Sequence, residues 1–137
     1  MEKLSDMAEI SPTEFEILDA MWREYPVTAN DLVERLNKDK PWHDKTVKTL
    51  INRLVKKQAI SFEKQGRTYL YFPLVSREDY RQKASKSFIE RIFSGRLSPL
   101  VAGFAKNNTL QAEDIEQLKS IIDDWEKEQS GNKGQDA

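Results

Sequence analysis

The chain has 137 residues and a formal net charge of −1, with 33% charged residues, 38% hydrophobic residues and no cysteine. This length has room for one compact domain or two small ones. The lack of cysteine excludes disulfides, thiolate metal sites and cysteine catalysis. The sequence contains no run of about 18 apolar residues, and Met1 to Asp6 form no apolar signal core. We therefore expect a cytoplasmic protein without membrane insertion.

Two helix starts are predicted in the N-terminal part of the chain. The segment Ser11–Glu14 fits a capping box with proline at the first helical position, and Pro26 is expected to end this helix. Thr28 and Asp31 repeat the capping pattern and open a short second helix. Apolar residues at helical spacing follow both starts, which predicts two amphipathic helices.

A third helix is predicted from Asp44, which is expected to cap it, to Lys57. Its apolar residues fall on one stripe, namely Val47, Leu50, Ile51, Leu54 and Val55. The opposite face is cationic and polar, and consists of Lys45, Thr46, Lys48, Thr49, Asn52, Arg53 and Lys56. Cations pair with phosphates, and Lys, Arg, Thr and Asn can also bond base edges in a major groove. The composition of this face therefore favours binding to duplex DNA.

Basic charge is concentrated around this third helix. Residues 40–67 hold eight basic and two acidic residues, whereas residues 1–39 hold four basic and ten acidic ones. Because salt screens charges over about 10 Å, binding responds to the local block and not to the net charge. A solvated helix face without a nucleic-acid partner is the alternative interpretation of the same charges.

The next segment has the pattern of a β-hairpin. Ile60–Lys64 alternates apolar and polar residues, Gln65–Arg67 forms a short turn, and Tyr69–Phe72 is aromatic and β-prone. Lys64 and Arg67 lie near the expected tip. Three helices followed by a basic-tipped hairpin predict a winged helix-turn-helix.

The second half of the chain has three further helical patterns. Ser76 opens the first and Gly95 ends it, Ser98–Pro99 opens the second, and Asn107–Thr109 separates it from the third. The tail from Gln129 is expected to be disordered. Each of these three helices carries a wide apolar stripe. Three short helices cannot bury these stripes against one another alone, so we expect a homodimer. Packing of these helices onto the winged module of the same chain is the alternative.

The predicted fold is thus mainly α with a small β-hairpin. A winged helix-turn-helix domain is expected over residues 1–75, a three-helix dimerisation domain over 76–128 and the tail over 129–137. Dimer contacts are assigned to apolar residues of the C-terminal helices, namely Tyr80, Phe88, Ile89, Ile92, Phe93, Leu97, Leu100, Val101, Phe104, Ile115, Leu118 and Ile122. Aromatic residues at helical or strand spacing are expected in packed cores, namely Trp22, Tyr69, Tyr71, Phe88, Phe93 and Trp125.

Four segments of the chain resemble the penicillinase-repressor family (the BlaI/MecI/CopY group), namely Val27–Asp31, Lys45–Lys57, Gly66–Tyr71 and Leu97–Val101. The likeness runs from about Ile10 to about Trp125. It implies a bacterial transcriptional repressor with an N-terminal winged helix and a C-terminal helical dimerisation domain. Dimers of this kind bind pseudo-palindromic operators in double-stranded DNA. The resemblance implies no cofactor and no metal.

The resemblance also implies roles for individual residues. The family's DNA contacts carry over to Lys45, Thr46, Lys48, Thr49 and Arg53, with wing contacts at Lys64 and Arg67 and a weaker candidate at Asn52. In the branch that responds to β-lactam antibiotics, repression ends when the dimer domain is cut at an Asn-Phe bond, which implies a membrane sensor metalloprotease as partner. The matching bond is Gly103–Phe104, which keeps only the phenylalanine. The cysteine pair of the copper-responsive branch is absent, which argues against that inducer.

Two other classes of function are alternatives to DNA binding. An enzyme is not indicated, because His43 is the only histidine and neither a metal-ligand cluster nor a glycine-rich phosphate loop occurs. A protein-interaction module is the remaining alternative, since winged helices sometimes bind proteins. A protein-binding face should carry aromatic or aliphatic anchors, and the polar face of the third helix carries none.

Overall fold

The computed structural model describes the backbone of residues 9–136 and the side chains of residues 9–131. In chain order its elements are α1 (Pro12–Arg23), α2 (Ala29–Asn37), α3 (Asp44–Lys56), β1 (Ile60–Gln65), β2 (Thr68–Pro73), α4 (Arg77–Phe93), α5 (Ser98–Lys106) and α6 (Ala112–Asp136). This mainly helical fold with one two-stranded hairpin confirms the predicted fold class. Residues 1–8 of the predicted first domain and Ala137 of the predicted tail lie outside the described residues. None of the helices described combines the length and apolar character that crossing a bilayer requires.

The predicted starts of α1 and α2 are confirmed. The Ser11 hydroxyl accepts a hydrogen bond from the backbone N–H of Glu14 at 3.2 Å, and the Glu14 carboxylate accepts one from the Ser11 N–H at 2.8 Å. The Thr28 hydroxyl accepts from the Asp31 N–H at 3.1 Å. Each bond satisfies an N–H group that has no partner within the helix, so the caps help to define where both helices begin.

The predicted cap of α3 is wrong. His43 stands at the N-cap without a side-chain hydrogen bond to the helix, and Asp44 is the first helical residue. The Asp44 carboxylate is 3.7 Å from the Lys48 ammonium one turn later. An acidic side chain in the first turn also complements the positive end of the helix dipole, so Asp44 suits this position although it is not the cap.

The hairpin is regular and is attached to the helices at its base. The two strands pair antiparallel from Ile60 opposite Pro73 to Gln65 opposite Thr68. Gly66 adopts a φ of +61° in the tight turn, a conformation that favours glycine. At the base, Val27 and Tyr71 exchange two backbone hydrogen bonds of 2.9 and 2.8 Å. The loop before α2 therefore holds the wing against the helices.

The chain divides into two compact units, with the boundary after Ser85. In the first unit, α1, α2, α3 and the base of the hairpin enclose one apolar core, whose members include Ile17, Leu18, Met21, Leu32, Val47, Ile51, Leu54, Ala59 and Ile60. Each large apolar side chain that is fully buried stabilises the fold by roughly 1.5–3 kcal/mol. This core gives α3 a fixed support.

The boundary between the units lies later than the sequence predicted. The Tyr80 ring lies 5.7 Å from the Phe15 ring and 5.9 Å from the Trp22 ring, measured between centroids. Arg77 stacks over the Trp22 ring at 5.2 Å and pairs with Asp19. We call these five residues the α1–α4 anchor. They place the first turns of α4 in the first unit, where the Tyr80 ring packs on α1.

In the second unit, none of the side chains that the structure describes is fully buried. From residue 86 to residue 131, all of which the structure describes, every side chain is half-buried or exposed. Its largest exposed apolar side chains are Phe88, Ile92, Leu97, Phe104, Ile121, Ile122 and Trp125. The expectation that Phe88 and Trp125 pack in a core does not hold within a single chain.

The last helix is longer than the sequence pattern predicts. Helix α6 continues through Asp136 instead of ending before Gln129. Glu126, Lys127 and Glu128, directly before the tail, are strong helix formers, and Lys127 lies 3.2 Å from Asp123 one turn earlier. Extending an existing helix adds one hydrogen bond for each residue fixed. The composition of the tail does not reveal this contribution to its helix stability.

Candidate nucleic-acid interface

Helix α3 presents the predicted polar face to solvent. Four members of its apolar stripe, Val47, Leu50, Ile51 and Leu54, are buried in the core. The six polar residues assigned to DNA contact are all exposed, namely Lys45, Thr46, Lys48, Thr49, Asn52 and Arg53. The amphipathic orientation predicted for this helix is therefore confirmed, and its cationic side is accessible to a partner.

The C-terminal end of α3 is tied to α1 by a buried ion pair. The Lys57 ammonium donates to the Glu14 carboxylate at 2.6 Å and to the Glu9 carbonyl at 2.8 Å. Burial raises the pKa of Glu14, which is 2% exposed, but hydrogen bonds from Lys57 and Ser11 outweigh burial and leave that pKa below its usual range. The sequence pattern predicts only the capping role of Glu14, because the pairing with Lys57 joins residues far apart in the chain.

The cations on and near α3 differ in whether they form ion pairs within the fold. Lys57 forms the ion pair with Glu14. Lys48 pairs with Asp44 at 3.7 Å, and both of these side chains are exposed to solvent. An exposed pair of this kind contributes about 0–1 kcal/mol, so a phosphate could replace the carboxylate at little cost. Among the residues that the structure describes, no acidic side chain forms an ion pair with Lys45 or Arg53. These charges therefore remain available.

A groove of about 380 Å³ lies between the start of α2, helix α3 and the second strand of the wing. Its polar lining includes Thr28, Asn30, Lys48, Asn52, Arg67 and Tyr69. The fold thus brings together three of the predicted contact residues, Lys48, Asn52 and Arg67. Lys64 is exposed on the wing but does not line the groove.

Several residues of this groove were not predicted from the sequence. Thr28 and Asn30 are brought to it by the start of α2, and Tyr69 by the wing. Tyr69 was expected in a core, yet it is 42% exposed, while Tyr71 beside it is buried. Strand alternation puts both tyrosines on one face, but only the tertiary structure decides how far the helices cover that face.

The candidate cleavage bond lies in the second unit, near the end of α5. Gly103 is half-buried and Phe104 is exposed. The Gly103 carbonyl accepts from the Asn107 N–H at 3.2 Å, and the Phe104 carbonyl accepts from the Thr109 N–H at 2.9 Å. The bond therefore lies in the last turns of a helix, where few hydrogen bonds must open to expose the backbone.

Comparison with known proteins finds one family across most of the chain. The family model for the penicillinase repressor matches residues 10–124. The penicillinase repressor of Bacillus licheniformis is 31% identical over 121 residues, which cover 88% of this chain and 94% of that protein. The penicillinase repressor of Staphylococcus aureus is 36% identical over 119 residues, covering 87% and 94%. The methicillin resistance regulatory protein MecI of Staphylococcus aureus strain N315 is 35% identical over 114 residues, covering 83% and 93%.

Solved structures of related domains cover the N-terminal part. The solution structure of the DNA-binding domain of the repressor BlaI is 32% identical, with a TM-score of 0.49, and covers 54% of this chain and 90% of that one. The monomeric form of Bacillus licheniformis BlaI in complex with the blaP half-operator is 32% identical, with a TM-score of 0.47 and the same coverage.

Proposed function

This chain belongs to the penicillinase repressor family, whose members are DNA-binding transcriptional repressors and not enzymes, and we propose that it acts as a cytoplasmic homodimer on a pseudo-palindromic operator. The observation that carries the proposal is the geometry of α3. One side of this helix is buried in the core, and the other exposes cations, hydroxyls and an amide to solvent. Groups of this kind bond both phosphates and base edges.

The proposed contacts divide into two kinds. Arg53 and Lys48 can bond the O6 and N7 atoms of guanine, and Asn52 can bond adenine, with roughly 1–3 kcal/mol of discrimination for each good bidentate pair. Lys45, Thr46 and Thr49 complete the exposed face of α3. Lys64 and Arg67 on the wing are assigned to phosphates, whose contacts contribute affinity without sequence preference.

A protein-binding role for the same face is less well supported. Its exposed side chains on α3 are Lys, Thr, Asn and Arg, without an aromatic or aliphatic anchor. Protein interfaces depend on such anchors at their centre. The cationic and hydroxyl groups instead match the phosphates and base edges of duplex DNA.

Dimerisation is assigned to the second unit. Many of its large apolar side chains are exposed, among them Phe88, Ile92 and Phe104, and exposed apolar surface often marks an interaction site. A second copy of the chain would bury them across a two-fold axis. The two winged units would then bind adjacent half-sites with a gain in avidity of about 10²–10⁴ over one unit.

We also propose that cleavage between Gly103 and Phe104 relieves repression, with a membrane sensor metalloprotease that responds to β-lactam antibiotics as the partner. The family resemblance supports this assignment, and so does the place of the bond in the last turns of α5. A protease binds its substrate in extended form, so these turns must first open. A cut at this bond would detach the end of α5 and all of α6 from the rest of the chain, which would disrupt the proposed dimer and remove the avidity of the two DNA-binding units.

The test begins with a footprint on the DNA upstream of the protein's own gene. The protected duplex is then titrated in gel-shift assays over a series of salt concentrations, beside a random duplex of equal length. We expect preferential binding to the protected duplex and a log-linear fall of affinity with salt, because phosphate contacts release counterions. If the protein binds no duplex even at low salt, the proposed function is wrong.

A further inference from the structure

One face of the wing carries a row of three aromatic side chains. Because alternate residues of a strand point to the same side, Phe62 and Tyr71, which pair across the hairpin, share this face with Tyr69. Tyr71 is buried, whereas Phe62 opposite it is 39% exposed, and Tyr69, which lies nearer the tip, is 42% exposed. Two large rings therefore remain in solvent on a strand pair whose other apolar residues are better covered.

The exposed rings hold each other in place. Phe62 and Tyr69 stack with centroids 4.8 Å apart and planes inclined by 17°. Phe62 also lies 5.7 Å from the buried Tyr71 ring, which links the stack to the core. A side chain that is already fixed loses little conformational entropy when it binds a partner. The stack thus presents the Tyr69 ring in a prepared orientation.

The surroundings of Tyr69 indicate the chemistry of that partner. The ring lines the groove together with Lys48 and Asn52 of α3 and Arg67 at the turn of the wing. The two cations give this groove a charge that is complementary to a phosphodiester strand. A phenol adds a neutral donor for a phosphate oxygen and an apolar ring for the adjacent sugar.

We propose that Tyr69, held by its stack on Phe62, contacts the sugar–phosphate backbone of duplex DNA in this groove. The inference rests on the proposed function and adds a neutral wing contact to its cationic ones. Tyr69 belongs to the wing and not to the polar face of α3, so it positions the duplex and does not read its sequence. The contact contributes to the affinity for every duplex, whether or not the duplex contains an operator.

The substitution Tyr69→Phe tests this assignment, because it removes one hydroxyl and keeps the ring stack. Affinities of the full-length protein for the footprinted operator duplex and for a random duplex are measured by fluorescence anisotropy over a series of salt concentrations. We expect both affinities to fall about three- to tenfold, the range for one lost hydrogen bond. The slope of affinity against salt should stay unchanged, because no cation is lost.

The matched control is Tyr25→Phe, the same chemical change at a tyrosine that is 53% exposed and does not line the groove. It should leave both affinities unchanged. Phe62→Leu removes the stacking partner and keeps the Tyr69 hydroxyl. It should lower the affinity for both duplexes, as Tyr69→Phe does.

Three results would overturn the inference. If Tyr69→Phe binds both duplexes like the wild type, the hydroxyl makes no contact with DNA. If only the operator loses affinity, Tyr69 contacts a base and the assignment to the backbone is wrong. If the wild type itself binds neither duplex, the proposed function fails first and this inference falls with it.

Discussion

The two units of the chain differ in how far their apolar side chains are buried. In the first unit Leu18 and Leu54 are completely buried, whereas in the second unit Ile121 remains 63% exposed. The first unit therefore has its own core, and its stability is internal to one chain. Under the proposed function a second copy would cover these side chains, so the stability of the second unit should depend on protein concentration. The self-contained unit carries the proposed DNA-binding face, and the unit with the uncovered surface carries the proposed dimer contacts.

The largest effect is expected from a substitution that leaves a cavity in the core of the first unit. Leu54→Ala should lower its free energy of unfolding by about 2–5 kcal/mol, because the change leaves a cavity beneath α3. Urea unfolding followed by tryptophan fluorescence measures the change. The control is Ile121→Ala, which shortens an exposed side chain of the second unit and should leave the first unit's transition in place. Equal losses in that transition would contradict the contrast between the units.

Assembly is tested by placing charge on the exposed apolar surface. The double variant Phe88→Asp, Ile92→Asp should be monomeric in analytical ultracentrifugation and should bind the full operator about 10²-fold more weakly, through loss of avidity. Its affinity for a single half-site should not change, because the first unit is intact.

Ser87→Asp is the matched control on the same helix, since it adds a charge at an exposed polar position. It should remain dimeric. A double variant that still sediments as a dimer would show that this surface is not the dimer interface.

Recognition is tested within the first unit alone. Arg53→Ala should weaken operator binding by roughly 1–3 kcal/mol and relax the base preference at one position, because a bidentate base contact is lost. Lys64→Ala should instead weaken all duplexes equally and reduce the salt slope by about one. Arg23→Ala on α1 removes an exposed cation away from the groove and serves as the control in the same gel-shift series. An unchanged operator affinity for Arg53→Ala would mean that the reading face is misplaced.

The smallest expected effect concerns acid stability. Because the folded state lowers the pKa of Glu14, the ion pair with Lys57 stabilises the first unit above about pH 4, the usual range of a free glutamate, and this stabilisation is lost as the pH falls through the folded pKa. Glu14→Gln should therefore cost about 1–3 kcal/mol near neutral pH and progressively less in acid.

Urea unfolding of the wild type and of Glu14→Gln from pH 7 to pH 3 measures this dependence. Glu16→Gln on the same helix is the control, because its carboxylate is more exposed and pairs with Lys40 at the surface. A loss for Glu14→Gln that is constant with pH would contradict the role of the charge.

Local patterns predicted much of the first unit correctly. The caps at Ser11 and Thr28, the hairpin around Gly66 and the orientation of α3 all depend on neighbours within a few residues. Hydrogen-bonded caps and apolar periodicity act over one or two helical turns, so they can be read from the sequence. The family resemblance was likewise confirmed, because its motifs are spread over both units.

Contacts between residues far apart in the chain were not predictable in the same way. The packing of Tyr80 on α1, the pairing of Glu14 with Lys57 and the exposure of Tyr69 each depend on which elements meet in space. The periodicity of apolar residues predicts that a side chain packs against other apolar groups. It does not predict which helix or strand carries those groups. The continuation of α6 past Gln129 was missed because composition suggests disorder where an existing helix can still extend.

The sequence alone determined the elements and the cationic side of α3, since local spacing and residue type specify both, and its resemblance to known repressors indicated the family. The tertiary structure decided that this side is accessible, that the wing joins it in one groove, and that the boundary between units lies within α4. The physical reason is that burial is a property of the assembled fold. The same aromatic or charged side chain becomes core, anchor or contact surface according to what packs against it.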